Sequence, residues 1–492
     1  MTKIQARFVL GIIVSGWFLG LVTAGYLEES SVVGFLFLAL VGLLAGLSVF
    51  IKTGHRLMTM SVILFFGFCG WGYYPFGLSW YLPVSDQVAG QGQWEGEVIG
   101  FPDRGLTGQS FIIKEKRSNF NFWVKADLYP VVRLGDKVKI IGYYQPPVRP
   151  FADNDFNDYS YLRTRDLSGR LYAYNLEIIK KTERISVLAW WRQKIIGGLK
   201  AGLPEPHASL ATGVLMGDRS GFASEIRKHL QQAGLIHLTV VSGYHVGLVA
   251  GLVAVLASYF ITTGWRPFFV LILVGFFILM TGPATSAIRA GLMVSLAMMA
   301  GWWGRPYAGL RALFYAVFLM TVIKPVIIFD IGFQLSVAAT WGVLVLTPII
   351  VNCLLAVFSV GQKTKIIFEI MAVSIAAQVA VMPLLLIWTG DLSWLAPFSN
   401  ILLSPWMVFI LPALALLAFL NMIGTGLALL PATISWLWLE AVLRVSAMMG
   451  ILTPEVSWRL PVWSVFIFYP LLWFVSRYLS VKYNPQWSWW FY

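Results

Sequence analysis

The sequence predicts a polytopic α-helical membrane protein with about 11–12 transmembrane helices, carrying one small β-barrel domain of the OB type outside the membrane. Two observations lead there. Of 492 residues, 58% are hydrophobic and only 12% charged, about half the charge of a soluble domain. And one stretch, residues 90–182, breaks the apolar pattern with a strand-like alternation of apolar and polar side chains.

The first element group is 1–76, read as three N-terminal transmembrane helices at about 8–26, 32–50 and 57–76. Lys3 and Arg7 precede a long apolar run with no A-x-A-like cleavage site, which reads as a retained first helix rather than a removable signal. Glu28 and Glu29 occupy the first turn, Lys52 and Arg56 the second. Basic residues favour the cytoplasmic side, so the N-terminus is placed inside and residues 77–185 outside.

Within 77–185 the alternation is visible in Lys137-Val138-Lys139-Ile140 and Ser110-Phe111-Ile112. Glycine and proline punctuate it at Gly100, Pro102, Gly105, Gly108, Gly135 and Pro146-Pro147. Leu134-Gly135-Asp136-Lys137-Val138 reads as a turn into a strand. About five strands in such a length suit a small OB-like barrel. Residues 86–185 hold 15 basic and 13 acidic side chains, so of the chain's net charge of +13 only +2 resides there. The rest sits at or in the membrane segments.

Residues 186–206 read as an amphipathic interfacial helix bearing Trp190, Trp191, Arg192 and Lys194. From 207 to 492 the chain is again membrane-like. Spans are placed near 236–262, 267–282, 286–303, 309–324, 331–352, 366–388, 396–421, 426–449 and 461–481. Inward turns then carry Arg266, Arg305 with Arg311, and Lys363 with Lys365, while Arg477 and Lys482 put the C-terminus inside. Outward turns carry Asp330, Asp391 and Glu455, but also Lys324 and Arg459, against the bias.

Polar side chains within such segments are the best signal of function. The densest run extends from Gly217-Asp218-Arg219 to His237, Ser242, Gly243 and His245. A continuous helix would put Ser242 and His245 on one face. Gly243 permits a break instead, and a broken helix presents a positive N-terminus to an anion. The plainer reading has Ser242 bonding its own backbone and the histidines packing between helices. Arg289, just inside a span, would cost about 2.5–3.5 kcal/mol on insertion scales; it lines a wet path or snorkels outward. Gln334 and Ser336, Gln378 and Asn400 are, singly, more often helix–helix glue. Glu440 and Arg444, four apart, read as an internal ion pair. Trp302, Trp303, Trp487, Trp489 and Trp490 read as interfacial anchors.

Several classes are excluded or disfavoured. No G-x-x-x-x-G-K-[ST] run occurs, so the chain has no P-loop. Cys69 and Cys353 both lie in apolar runs and make no disulfide or thiolate metal framework. A zinc site from His237, His245 and Asp218 is conceivable, but no paired-histidine motif supports it, and no cofactor or metal is expected.

The residues Gly217-Asp218-Arg219 and His237-Leu238-x-x-x-Ser242-Gly243-x-His245 resemble the opening motif of the ComEC family, the bacterial competence DNA-uptake channels. Arg289-Ala290, Phe333-Gln334-Leu335-Ser336 and Asn400-Ile401-Leu402 resemble later landmarks in order, and Tyr159-Ser160-Tyr161-Leu162-Arg163 is similar too. Val240-Val241 and Tyr244 depart from the motif in a minor way. Three spans, an external β domain and a polytopic competence domain is also that family's layout. Many members continue into a metallo-β-lactamase-like domain. No histidine follows His245 here, so the form expected is one without that domain.

The resemblance implies a channel, not an enzyme, that imports single-stranded DNA across the bacterial cytoplasmic membrane during natural transformation. The implied partners are single-stranded DNA, a DNA-receptor protein on the outer face, a cytosolic DNA-translocating ATPase, a separate nuclease if a strand is degraded, and the lipid bilayer. Each nucleotide brings a phosphate charge that lipid cannot accept, so the path must be wet and bind weakly at many points. Asp218, Arg219, His237, Ser242, Gly243, His245, Arg289, Gln334, Ser336, Gln378 and Asn400 are the path candidates. Phe120, Phe122, Trp123, Tyr143 and Tyr144 are candidates for stacking on bases, unless they form the barrel core. Two rival readings are an intramembrane hydrolase, with Ser242 as nucleophile, His245 or His237 as base and Asp218 as the only nearby orienting acid, and a small-molecule or ion transporter.

Overall fold

A computed structural model of the chain describes residues 89–105, 108–147, 158–182, 186–357, 362–390, 392–424, 426–452, 459–461 and 464–483. The three N-terminal spans, Asp391, Glu455 and the C-terminal tryptophans lie outside the described residues.

The alternating stretch folds into strands β1 (Gly90–Val98), β2 (Asp103–Arg104), β3 (Gly108–Glu115), β4 (Asn121–Asp127), β5 (Lys137–Gln145) and β6 (Gly169–Lys180), with helix α1 (Asp158–Thr164) between the last two. The sheet order is β1-β5-β6-β4-β3-β2, and a further β1–β3 pairing closes it into an OB-like barrel of five long strands. All strand pairs are antiparallel except β4 with β6. Alternate side chains point inward, so Val98, Ile113, Phe122, Val124, Val138 and Ile140 fill the barrel at 1% exposure or less. Gly142 is fixed by the close β5–β6 pairing: a Cβ there would stand 2.1 Å from the Tyr172 carbonyl oxygen across that ladder. The turn before β5 turns on Gly135 at φ +88°. Asp136 beside it is buried, and its two oxygens accept from the Arg133 and Thr182 amides at 2.8 Å each.

The remaining helices are α2 (Val187–Gly202), α3 (His207–Met216), α4 (Ser224–Gln232), α5 (Gly243–Phe260), α6 (Arg266–Thr281), α7 (Thr285–Trp302), α8 (Gly309–Ile323), α9 (Ile331–Val357), α10 (Gln362–Trp388), α11 (Ala396–Leu403), α12 (Met407–Met422), α13 (Leu429–Leu452) and α14 (Ser464–Tyr483). Each of the nine apolar segments from 236 onward contains helix. Two differ in detail. The segment from 236 begins with a 3-10 turn, Ile236–Thr239, and the long helix starts only at Gly243. The segment from 396 is α11 and α12 joined by a 3-10 turn, Ser404–Trp406, because Pro405 cannot donate to a continuous helix. Among the described residues, five helical stretches are long and apolar enough to cross a membrane: Gly243–Phe260, Ile331–Ala356, Lys365–Trp388, Ala396–Met422 and Gly426–Leu452.

Helix α2 does not rest on the bundle by an apolar stripe alone. Gly198 meets the α12 backbone, where a Cβ would stand 2.4 Å from the Ala418 oxygen, and Asn421 Nδ2 donates to the Gly198 carbonyl at 2.8 Å. Every residue of α3 is buried. At about 1.5 Å per residue it is far too short to span a bilayer, and it forms an internal strut. Glu440 on α13 joins α3 to its own helix: its oxygens meet His207 Nε2 at 2.9 Å and Arg444 Nε at 2.6 Å. The expected pair is thus a triad reaching a second helix.

Asp330 starts α9. Its Oδ1 accepts from the Phe333 amide at 2.6 Å and from Thr285 Oγ1 at 2.8 Å, tying α9 to the start of α7. Asp330→Ala is expected to cost about 0.5–2 kcal/mol, the worth of a helix N-cap, and Asp330→Asn much less. Thermal unfolding of the detergent-solubilised protein checks this; equal losses in the two variants would mean that the charge, not the cap, matters.

Candidate functional site

The barrel docks against one end of the bundle. Lys324 Nζ, at the end of α8, pairs with Asp166 of the β domain at 2.6 Å. That pairing accounts for a lysine in a turn where the charge bias expects none. A second contact lies at Arg192 of α2, whose guanidinium carbon is 4.7 Å from the centre of the Phe101 ring. Arg192 also donates from Nη1 to the carbonyls of Met216 (3.2 Å) and Met280 (3.0 Å), and its Nη2 stands 3.6 Å from Asp218 Oδ2. Burial holds the Arg192 and Arg219 guanidinium groups below the ordinary arginine value, with Asp103 of β2 pulling both back up. Sequence reading gave Arg192 to the interfacial helix and did not find this junction; only its position beside the Gly217-Asp218-Arg219 turn hints at it in retrospect.

That turn leads into the polar cluster. Gly217 ends α3 in the left-handed region at φ +70°. Arg219 Nε donates to the Thr239 carbonyl at 3.3 Å, and Ser286 Oγ donates to the Val241 carbonyl at 3.0 Å. Val240 and Ser242 are extended, so the chain is broken ahead of Gly243 and not between it and His245, which both lie in α5. Ser242 caps α5: its Oγ accepts from the His245 amide and donates to His245 Nδ1 at 2.9 Å, while its own amide points at the same nitrogen from 3.3 Å. Since Nδ1 accepts, a neutral ring carries its proton on Nε2. His245 is 1% exposed, and Nε2 meets no partner in hydrogen-bonding geometry. Asp218 is engaged elsewhere, with Arg192 and with the Ser220 amide at 3.0 Å, so among the described residues no carboxylate orients the His245 ring.

Arg289 reaches this cluster from α7. It is 4% exposed and does not snorkel outward. Nη1 donates to Thr340 Oγ1 of α9, and Nη2 lies where Gly243 makes room: a Cβ at residue 243 would be 2.9 Å from it. Nε has no partner. The structure therefore brings Ser242, Gly243, His245 and Arg289 together, with Asp218 and Arg219 one turn away. His237 donates from Nδ1 to the Gly234 carbonyl at 2.8 Å. Its side chain keeps exposed surface.

The amides lie apart from this cluster in role. Gln334 donates to the Ile328 carbonyl at 2.8 Å and accepts from Trp388 Nε1 at 2.9 Å, so it ties α9 to α10. Gln378 makes a long contact of 3.5 Å to the Ser393 carbonyl, and Ser336 is half-buried on α9, its carbonyl accepting from Thr340. Asn400 on α11 keeps a buried Oδ1 without a partner. Of the stacking candidates, Phe122 and Tyr144 are corrected to barrel core: at 0% and 1% exposure they offer no face to a base. They pack edge to face with centroids 5.6 Å apart. Phe120 is partly buried against the core and Trp123 half-buried, while Tyr143 stands exposed.

Apolar helices long enough to span a bilayer, bundled round a polar cluster and capped at one end by an OB-like barrel, define a multi-pass membrane protein with a polar site inside its helical domain. Residues 214–482 match the protein family described as Competence protein; the match covers more than half of the chain, which belongs to that family. The chain is 31% identical over 225 residues to ComE operon protein 3 of Bacillus subtilis (strain 168), a stretch that is 45% of this chain and 27% of that protein. No solved structure matches the chain.

Proposed function

We infer that this chain passes single-stranded DNA across the cytoplasmic membrane during natural transformation. One observation carries the reading. A cluster of donors, half-buried Ser242 and Gly243 with buried His245 and Arg289, sits in an otherwise apolar bundle at the end where the β barrel docks. A strand handed on by the barrel meets a charge-bearing site there rather than lipid. Asp218 and Arg219 lie in the turn that leads to the cluster, His237 in the 3-10 turn before it, and Gln334, Ser336, Gln378 and Asn400 are the further donors of the path.

The organisation follows: residues 1–76 as three spans, 77–185 as the extracytoplasmic barrel, 186–206 as a connecting helix, and 207–492 as the channel, with both termini cytoplasmic. Lys324 supports this orientation, since its charge is spent on Asp166 and does not count against it. A receptor on the outer face supplies the strand, and a cytosolic ATPase pulls it, because the chain has no P-loop.

A hydrolase reading has one observation in its favour, the 2.9 Å contact between Ser242 Oγ and His245 Nδ1. Among the described residues it lacks an orienting acid. Uptake of labelled DNA into the cytosol of a deletion strain, with and without the gene restored, tests the channel. Import is expected to be lost on deletion and to return with the wild-type gene and with Ser242→Ala. Normal import by the deletion strain would end the DNA reading; loss in Ser242→Ala without loss of the protein would favour the hydrolase.

A further inference from the structure

Arg289 and the first turn of α5 face each other with the wrong polarity. A helix N-terminus carries roughly half a positive charge, and the amides of Gly243 and Tyr244 are among those an α-helix leaves without partners. The buried guanidinium abuts that end, with Nη2 in the space left by the missing Gly243 side chain. Two positive features thus meet in a buried place. Arg289 spends its other donors on uncharged groups, Thr340 Oγ1 and Met293 Sδ at 3.7 Å, and Nε on none. Among the described residues it has no ion-pair partner. Neither neighbour of the helix end supplies the missing charge: Ser242 is a neutral cap, and His245 accepts at Nδ1 from it. The carboxylate at the start of α9, Asp330, is committed to Thr285 and the Phe333 amide. A buried cation left uncompensated is strongly unfavourable unless an anion comes to it.

We propose that Arg289 and the N-terminal amides of α5 form a subsite for a single phosphodiester anion of the passing strand. It rests on the DNA reading above and deepens it. The chemistry suits a diester: one planar guanidinium with free N–H groups beside two backbone amides meets two non-bridging oxygens. A single site of this kind holds a phosphate in passing without trapping the strand. Gly243 is a positioning residue, because any side chain there displaces Nη2.

The test uses the full chain in phosphatidylcholine nanodiscs and a fluorescent (dT)12, with a methylphosphonate (dT)12 of neutral backbone as the second probe. The wild type is expected to favour the charged strand. Arg289→Met is expected to weaken its binding at least tenfold and to flatten the log affinity against log salt slope by about 0.7, the share of one phosphate on a single strand. Arg289→Lys should keep most of the slope, and Gly243→Ala should behave as Arg289→Met although the arginine remains. An unchanged slope in folded Arg289→Met overturns the subsite and leaves Arg289 as a tie between α7 and α9. Competition by phosphatidylglycerol in the disc, lost in Arg289→Met, would give the subsite to a lipid headgroup instead and overturn the assignment to the strand. Uptake in cells separates the two levels: Arg289→Met importing normally where the deletion does not sinks the subsite alone, and a deletion strain that imports normally sinks the DNA reading beneath it.

Discussion

Phe122→Ala is expected to lower the stability of the β barrel by about 3–5 kcal/mol, the range for truncating a buried phenylalanine. Phe122 has no exposed surface, and its ring meets Tyr144 edge to face inside the barrel. Limited proteolysis of the β domain in the intact protein reads the loss. Tyr143→Ala is expected to do the opposite: with the ring 37% exposed, its loss leaves the barrel protected from protease. If bases stack there, binding of single-stranded DNA falls by about 1–3 kcal/mol. Two stacking candidates thus separate cleanly. A protease-resistant Phe122→Ala barrel would mean the core repacks, and unchanged DNA binding in Tyr143→Ala would remove that ring as a platform.

Gly342→Leu is expected to be the most damaging substitution in the helical domain. Helices α9 and α10 run against each other, and Gly342 sits at the crossing: a Cβ there would lie 2.5 Å from Ala380 Cβ and 2.6 Å from the Ala376 carbonyl oxygen. Ala372, Ala376 and Ala380, spaced at four residues, have no exposed surface. Small residues at this spacing let two helix backbones approach in a membrane, where packing rather than water drives association. Overpacking costs about 1–3 kcal/mol or more, and here both sides are backbone or Cβ and cannot swing away. The expected outcome is a markedly lower unfolding midpoint in detergent, or no folded protein. Gly247→Leu is the matched control, since nothing lies within 4 Å of a Cβ there. Similar losses for the two variants would show that the effect is generic to leucine in this domain rather than to the crossing.

The helical domain was largely legible because apolar length is a local property. Each span could be counted along the chain, and the break before α5 was available from Gly243. Where the helix resumes was not, since Val240 and Val241 are as apolar as any helical residue and are extended only because Arg219 and Ser286 take up the carbonyls of Thr239 and Val241. The barrel was legible as alternation, and Lys125, Lys137 and Lys139 on the outward positions already mark its parity; only the aromatic pairs are ambiguous taken alone. Phe122-Trp123 and Tyr143-Tyr144 put an aromatic on both faces of a strand, so a one-residue shift leaves each pair unchanged; β4 pairing with β3 and β6, and β5 with β1 and β6, turned Phe122 and Tyr144 inward.

By itself the sequence determined that this chain is built of membrane-length helices and a β domain, and that its densest run of polar residues in the helical part lies between 217 and 245. Those are consequences of composition and period, which act over a few neighbouring residues. The tertiary structure alone decided which polar groups meet. Arg289 reaches Gly243 across 46 positions of chain and Thr340 across 51, and Gln334 is drawn instead to Trp388. Such meetings depend on how helices cross, and crossings are set by where glycine and alanine let backbones close up, a condition of two surfaces that no single stretch of sequence contains.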